Sequence, residues 1–246
     1  MNRTEAERAV NALYAHAQST RSAPKDNLLI ETPYEYIWTI LTTKKIHKSS
    51  PNPHAIHLPH SFRIASCQNN DVCLLVKAPA SQTESLLEER GISHLIAKVI
   101  DLPTLRSTYS QFEARRALCD AYDLFLADDR IVPSLGKALG KKFFAKKKQP
   151  IAVRISEKDP ARKAEEEIQR ALESAVLIGN GSASLMIRTS VTLLSAAETV
   201  DNLVAVVEGA AKKFGGSVQE IVQSVHVKTA DSPSFMAYLM EAAASE

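Results

Sequence analysis

The side chains best suited to chemistry in this sequence are cations, and they come in two runs. Lys137, Lys141, Lys142, Lys146, Lys147 and Lys148 place six ammonium groups within twelve residues. Such a cluster can neutralise phosphates and release their counterions. Phe143 and Phe144 lie inside it and could stack on bases. A solvated loop at a helix end is the plain alternative. The second run is Lys44, Lys45, His47 and Lys48, with Arg63 on the next extended segment. Other candidates carry less. His54, His57 and His60 recur every third residue, which in a strand splits them between two faces and suits no shared metal. Gly179-Asn180-Gly181-Ser182 lacks the phosphate-loop pattern and precedes a strand, so a turn is expected. Asp128 and Asp129 end a predicted parallel strand, where α/β enzymes place catalysis, but no nucleophile or histidine is tied to them. Cys67, Cys73 and Cys119 form no CxxC pair and read as buried thiols.

The rest of the composition narrows the class. The chain has 246 residues, 45% hydrophobic and 24% charged, which is enough for real cores and argues against wholesale disorder. No apolar run reaches membrane-spanning length, and the polar N-terminus lacks the core of a secretory signal, so an intracellular protein is expected. The net charge of +2 hides an asymmetry: residues 1–68 and 69–153 each carry +3, and residues 154–246 carry −4. Attraction to an anionic partner must therefore come from local patches.

These residues need elements to hold them. Helical spacing of Ala6, Ala9, Val10, Leu13 and Ala17 predicts a helix over 2–18. Residues 34–43 are aromatic and β-branched and read as a strand, followed by a basic loop and a second extended segment over 54–65. The rhythm then changes. Short apolar runs at 72–76, 96–102, 122–127 and 151–155 alternate with helices over 81–90, 103–121 and about 129–141, the pattern of a small parallel α/β layer. Asp159-Pro160 opens a long helix whose apolar stripe is Ala164, Ile168, Ala171, Leu172 and Ala175. A strand over 185–192, a helix over 195–213, a segment over 218–227 that ends in a strand, and a further strand over 235–240 complete the chain. The expected organisation is discontinuous: an outer α+β domain from 1–68 and 154–246, with a Rossmann-like parallel α/β domain inserted at 69–153.

Several stretches resemble, in order, the ribosomal protein L-one family. Leu58-Pro59-His60 is similar to its Leu-Pro-His at the first crossing between domains. Tyr122-Asp123-Leu124-Phe125-Leu126-Ala127 is similar to its Tyr-Asp-x-Phe-Leu-Ala strand, Leu135 to Lys141 falls where it has a Leu-Gly-Pro-Gly-like stretch, and Val225-His226-Val227-Lys228-Thr229 is similar to its closing strand. The resemblance implies a two-domain α/β fold whose outer domain lies along RNA through Lys44, Lys45, His47, Lys48, Arg63, Lys228, Thr229 and Ser232. The lysines from Lys137 to Lys148 would then form a secondary surface for RNA or proteins. Where ribosomal members carry Thr-Met-Gly-Pro, this chain has Thr229-Ala230-Asp231-Ser232-Pro233, and the inserted domain lacks the Gly-Pro-Gly loop. Both departures resemble the nucleolar biogenesis relatives. The implied function is non-catalytic binding of pre-ribosomal RNA in a nucleolar particle, more in keeping with the small-subunit precursor, beside other assembly proteins. No metal, cofactor, small-molecule substrate or membrane is implied, and the chain would act as a monomer within the particle. The alternatives are a large-subunit precursor factor, a stalk protein of the ribosome, and an enzyme using the parallel sheet.

Overall fold

A computed structural model describes residues 2–22, 34–48, 50–63, 72–77, 79–146, 148–155 and 161–239. Cys67, Lys147 and Asp159-Pro160 lie outside them. The chain divides into two compact units. The outer one comprises residues 1–50, 54–66 and 173–246, and the inserted one residues 51–53 and 67–172.

The outer unit is a two-layer sandwich. Its four-stranded antiparallel sheet has the order β10-β9-β1-β8, from β1 (Tyr36–Thr43), β8 (Ser184–Val191), β9 (Val222–Lys228) and β10 (Phe235–Leu239). In β1 the burial alternates strictly, with Ile37, Thr39, Leu41 and Thr43 inward. That inner face packs with α1 (Arg3–Ser22) and α8 (Ala196–Lys213) around Val10, Leu13, Leu41, Ile187, Leu203, Val207 and Val225, all buried. The expected helical stripe of α1 is observed: Ala6, Ala9, Val10, Leu13 and Ala17 are buried. Ser195 caps α8 with a full capping box, its Oγ accepting from the Glu198 N–H while the Glu198 carboxylate accepts from the Ser195 N–H. A second sheet pairs β2 (Ser50–His57) with β7 (Ser174–Gly179) antiparallel.

Asn202 ties the crossing segment to this sandwich. Fully buried on α8, its Oδ1 accepts from the His60 N–H at 3.0 Å, and its Nδ2 donates to the carbonyls of His60 at 2.8 Å and Thr189 at 3.3 Å. Nearby in sequence on the same helix, Gly209 leaves room for Ile56: a Cβ built there would lie 2.4 Å from the Ile56 Cγ2.

The inserted unit is the expected parallel layer. Its sheet order is β4-β3-β5-β6, from β3 (Val72–Val76), β4 (Lys98–Asp101), β5 (Leu124–Asp128) and β6 (Ile151–Val153), with every pair parallel. β3 and β5 are buried at every position, as central strands covered on both faces must be. Helices α2 (Ala80–Glu89), α3 (Leu102–Ser107), α4 (Phe112–Ala121), α5 (Val132–Leu139), α6 (Lys141–Ala145) and α7 (Ala161–Leu172) complete the unit.

The structure refines the sequence reading in several places. The helix expected over 103–121 is two, α3 and α4, separated at residues 108–111. Residues 174–179 form strand β7, where Ala175 had been the last member of a helical stripe; Ala175 instead pairs with Ile56 across the two-stranded sheet. The segment over 218–227 does end in a strand, and its first residues form a short helix, α9 (Val218–Ile221), capped by Ser217. The second border between units also falls later than residue 153. Helix α7 buries Ala164, Ile168, Ala171 and Leu172 and packs against β6, so it groups with the inserted unit.

Candidate nucleic-acid interface

The outer sheet has one face on its helices, and the other is set by the alternating residues of β1 that do not enter the core: Tyr36, Trp38, Ile40 and Thr42, all half-buried. Register fixes their neighbours. Trp38 stands opposite Arg188 on β8 and Lys228 on β9, and Ile40 stands opposite Met186 and His226. Directly opposed residues of an antiparallel pair share a face. The Arg188 guanidinium lies 4.0 Å from the Tyr36 ring centroid and 4.9 Å from that of Trp38. Met186 and Met236 are exposed on the same sheet. The result is a surface of aromatic rings, flexible thioethers and cations. Rings and a guanidinium plane accept base stacking, and cations accept phosphate.

Lys228, Thr229 and Ser232 fall at this end of the sheet, but the two hydroxyl residues do not project from it. Thr229 and Ser232 are buried; the Ser232 Oγ accepts from the Thr229 N–H at 2.8 Å and donates to the Pro233 carbonyl. They shape the turn, and what the turn exposes is Ala230, Asp231 and Pro233. Arg63 is near the same end through rings: its guanidinium lies 5.0 Å from the Phe62 ring, which meets Tyr36 edge to face at 6.3 Å. It also donates to the Ser174 carbonyl, so part of its hydrogen-bonding capacity is structural.

Lys44, Lys45 and Lys48 are exposed, but at the other end of the strand. β1 and β9 run antiparallel, with Thr43 opposite Val222 and Trp38 opposite Lys228. Six residues of extended chain separate Trp38 from Lys44, about 20 Å at strand rise. The residues expected as one patch are therefore two, at opposite ends of the sheet. His47 does not join either as a free imidazole. Its ring stacks on Phe214 at 3.8 Å, and its Nε2 is buried without a hydrogen-bond partner among the described residues. Lys44 faces Glu220, whose carboxyl is held below the ordinary range, first by the Ser217 N–H and hydroxyl and additionally by Lys44.

The lysine run of the inserted unit also divides. Lys148 is mostly buried and donates to the carbonyls of Cys119 at 3.1 Å and Tyr122 at 2.8 Å, so it holds α4 and the entry to β5 in place. Lys146 pairs with Asp120. Lys137, Lys141 and Lys142 remain exposed on α5 and α6. Phe143 cannot stack on bases: it is fully buried, with its ring edge to face against Phe125 at 4.9 Å. Phe144 is 37% exposed.

The remaining chemical candidates are placed plainly. Asp128 is buried and chelates the Arg130 guanidinium, as well as accepting from the Arg130 N–H. Cys73 and Cys119 are buried free thiols, and burial pushes the Cys73 thiol up to about 12. His57 lies 3.9 Å from Glu173, while His60 faces Glu198 and Asp201. Among the described residues no group of ligands could hold a metal ion, and no helix is long and apolar enough to cross a membrane. Arg188 and Trp38 are the residues that reading the sequence missed. They are 150 positions apart, and only the β1–β8 register brings them together.

A discontinuous outer α+β unit carrying an inserted parallel α/β unit is a two-domain α/β architecture. Residues 13–233 match the Ribosomal protein L1p/L10e family, and the chain belongs to that family. It is 30% identical over 212 residues to a Schizosaccharomyces pombe protein named for ribosome biogenesis, C8F11.04, covering 85% of this chain and 56% of that one. A second S. pombe protein so named, C306.07c, is 26% identical over 230 residues, covering 93% and 76%. The Ribosomal L1 domain-containing protein 1 of Mus musculus is 27% identical over 242 residues, covering 95% and 51%. The chain thus spans little more than half the length of the first and third of these relatives.

Proposed function

We propose that this protein is a ribosome-biogenesis factor that binds pre-ribosomal RNA through the outer unit and catalyses nothing. The observation that carries the proposal is the half-buried sheet face on which Arg188 lies over Tyr36 and Trp38 with Lys228 alongside. Rings stack on bases whatever the sequence, and the flanking cations meet the backbone, so the surface suits unpaired nucleotides in a folded RNA. Lys44, Lys45 and Lys48, about 20 Å away along β1, supply a second contact suited to a flanking phosphate backbone. Two relatives are named for ribosome biogenesis, which supports the assembly role. Asp231, exposed at the turn where ribosomal members of the family have glycine, adds a negative charge beside the site and favours an assembly factor over a stalk protein. We assign it to a nucleolar particle on the small-subunit precursor, as a monomer among other assembly proteins.

The test is to sequence RNA crosslinked to the protein in cells. The proposal expects pre-ribosomal RNA, with transcribed spacer or small-subunit sequence enriched and crosslinked peptides from β1, β8 or β9. Enrichment of the mature large-subunit stalk would overturn the assignment to an assembly particle. Crosslinks confined to the inserted unit would overturn the assignment to the outer one.

A further inference from the structure

The fold joins the lysine loop after β1 to two other segments of the outer unit. The Thr43 N–H donates to the Ala183 carbonyl at 2.8 Å, in the hairpin between β7 and β8. The Thr43 hydroxyl lies between the carbonyls of Lys45 at 2.8 Å and Ala183 at 3.1 Å. The Lys44 N–H donates to the Ile221 carbonyl at 2.9 Å, at the end of α9. His47 stacks on Phe214, the residue that ends α8, with ring centroids 3.8 Å apart. That stack sets the loop against the last turn of α8, where Lys212 and Lys213 are exposed. Burial, and then the Lys213 charge, holds the His54 imidazole on β2 below its ordinary range. Lys44, Lys45, Lys48, Lys212 and Lys213 therefore gather at one end of the sheet. Three observations separate this cluster from an ordinary solvated edge. Lysines in a last turn can serve the final carbonyls of a helix, but those of Ala210, Ala211 and Lys212 already accept from the N–H groups of Phe214, Gly216 and Gly215. Lys44 is partly offset by Glu220, yet none of the five forms an ion pair among the described residues, whereas Lys146 is taken by Asp120. The loop is also pinned at several points, so its cations are in place before a ligand arrives.

We infer that this end of the outer unit seats the backbone of a double-helical RNA segment, so that the whole ligand is a helix bordered by unpaired nucleotides. The inference rests on the outer unit binding RNA, and adds the form of that RNA and the residues Lys212 and Lys213. The rings at this end, His47 and Phe214, are half-buried against each other and make a poor platform for unpaired bases. A helix needs none, because its bases are already stacked inside and it presents phosphates and 2′-hydroxyls. The lysines meet the phosphates. The exposed tip of the hairpin adds a hydroxyl: the Ser182 Oγ accepts from the Ser184 N–H at 3.2 Å and keeps its own proton to donate to a 2′-hydroxyl or phosphate. Trp38 and Tyr36, with their cations, lie about 20 Å away along β1, where the strand turns to ring chemistry. Charge without free rings at one end, and rings with charge at the other, match a helix and its single-stranded border.

The test titrates the whole chain, at two salt concentrations, with an RNA hairpin stem bearing an unpaired uridine tail, the same stem without the tail, and oligouridine alone. Lys212→Gln with Lys213→Gln removes two exposed charges and no packing. It should weaken both stems at least fivefold and lower the slope of log affinity against log salt by about 1–2, since each lost phosphate contact on a helix removes about 0.9. Its effect on oligouridine should stay below twofold. Trp38→Ala should do the reverse, weakening oligouridine and the tailed stem while sparing the bare stem. Ile46 is 73% exposed within the loop and offers nothing to a phosphate, so Ile46→Ser should leave all three RNAs unchanged. If the folded lysine variant binds the bare stem with affinity and slope unchanged while Trp38→Ala still weakens oligouridine, this inference falls and the RNA face stands. If Trp38→Ala changes nothing while the lysine variant loses the stem, the helix seat stands and the ring face falls. A glutamate-rich peptide that displaces the bare stem, and that Ile46→Ser weakens, would make this an acidic-protein surface and overturn the inference.

Discussion

Asn202 gives a prediction whose size can be worked out in advance. Its side chain makes three hydrogen bonds, two to the backbone of His60 and one to the Thr189 carbonyl, from a fully buried position on α8. Asn202→Leu keeps the branched shape and the number of side-chain heavy atoms but removes all three. Each net hydrogen bond is worth about 1 kcal/mol, and a buried donor or acceptor left unpaired costs about 1–3 kcal/mol. The His60 backbone is only part-buried, so water can recover part of that, and the Thr189 carbonyl on β8 cannot be reached as readily. The expected loss is about 3 kcal/mol. Asn202→Asp retains the acceptor for the His60 N–H but loses both donations, so it should also destabilise, and less so at acid pH, where the carboxyl can donate. Urea unfolding followed by Trp38 fluorescence reads the outer unit directly, since Trp38 is the one tryptophan of the chain. A loss below about 1 kcal/mol for Asn202→Leu would mean that the crossing segment is held by packing of Leu58 and Phe62 rather than by this clamp.

Gly209→Ala should destabilise the outer unit by about 1–3 kcal/mol, because its Cβ would press on Ile56 Cγ2, and Ile56→Val should not relieve it fully since Val retains a second methyl; urea unfolding of the single and double variants checks this. The capping carboxyls of Glu198 and Glu220 are held below the ordinary range chiefly by the Ser195 and Ser217 backbone N–H groups. A depressed folded pKa gives stability that is present above the unfolded value and lost as pH falls through the folded one. Glu198→Gln with Glu220→Gln, which removes the titrating groups, should therefore lower stability at neutral pH and flatten its acid limb, as urea titrations at several pH values would show. Asp128→Asn should weaken the hold on Arg130 and lower stability while leaving RNA affinity within about twofold; an RNA loss of tenfold would place the interface in the inserted unit.

How much of this was legible follows from where the information lies. The parallel layer could be read from residues 72–155 because fully buried strands are uniformly apolar, and local composition records that. The amphipathic helices at 3–22 and 196–213 show in their spacing for the same reason. Strand β7 was not legible: Ser174 to Gly179 follows a helix whose apolar stripe it continues, and only pairing with β2 makes Ala175 a strand residue. The site suffered most. Basic residues near each other in sequence read as a patch, but Lys148 turns inward onto two carbonyls, His47 stacks on Phe214, and Thr229 and Ser232 spend their polar groups on their own turn. Charge type is visible in a sequence, whereas the direction of a side chain is set by register and packing. The Trp38–Arg188 neighbourhood, spanning 150 positions, has no local signature at all.

The central claim is that the half-buried face of the outer sheet holds RNA. The measurement that tests it most directly is a binding titration of the whole chain against pre-ribosomal RNA at two salt concentrations, comparing Trp38→Ala and Lys228→Glu with Lys137→Glu combined with Lys141→Glu. Loss of one stacked base costs about 1–3 kcal/mol, so Trp38→Ala should weaken binding roughly fivefold or more with the salt slope unchanged. Lys228→Glu should weaken it and lower the slope, since a phosphate contact is lost. The inserted-unit variant should bind nearly as tightly as the unmodified chain. If Trp38→Ala and Lys228→Glu bind normally, each still folded, while the inserted-unit variant loses affinity, the RNA does not lie on this sheet and the account is wrong.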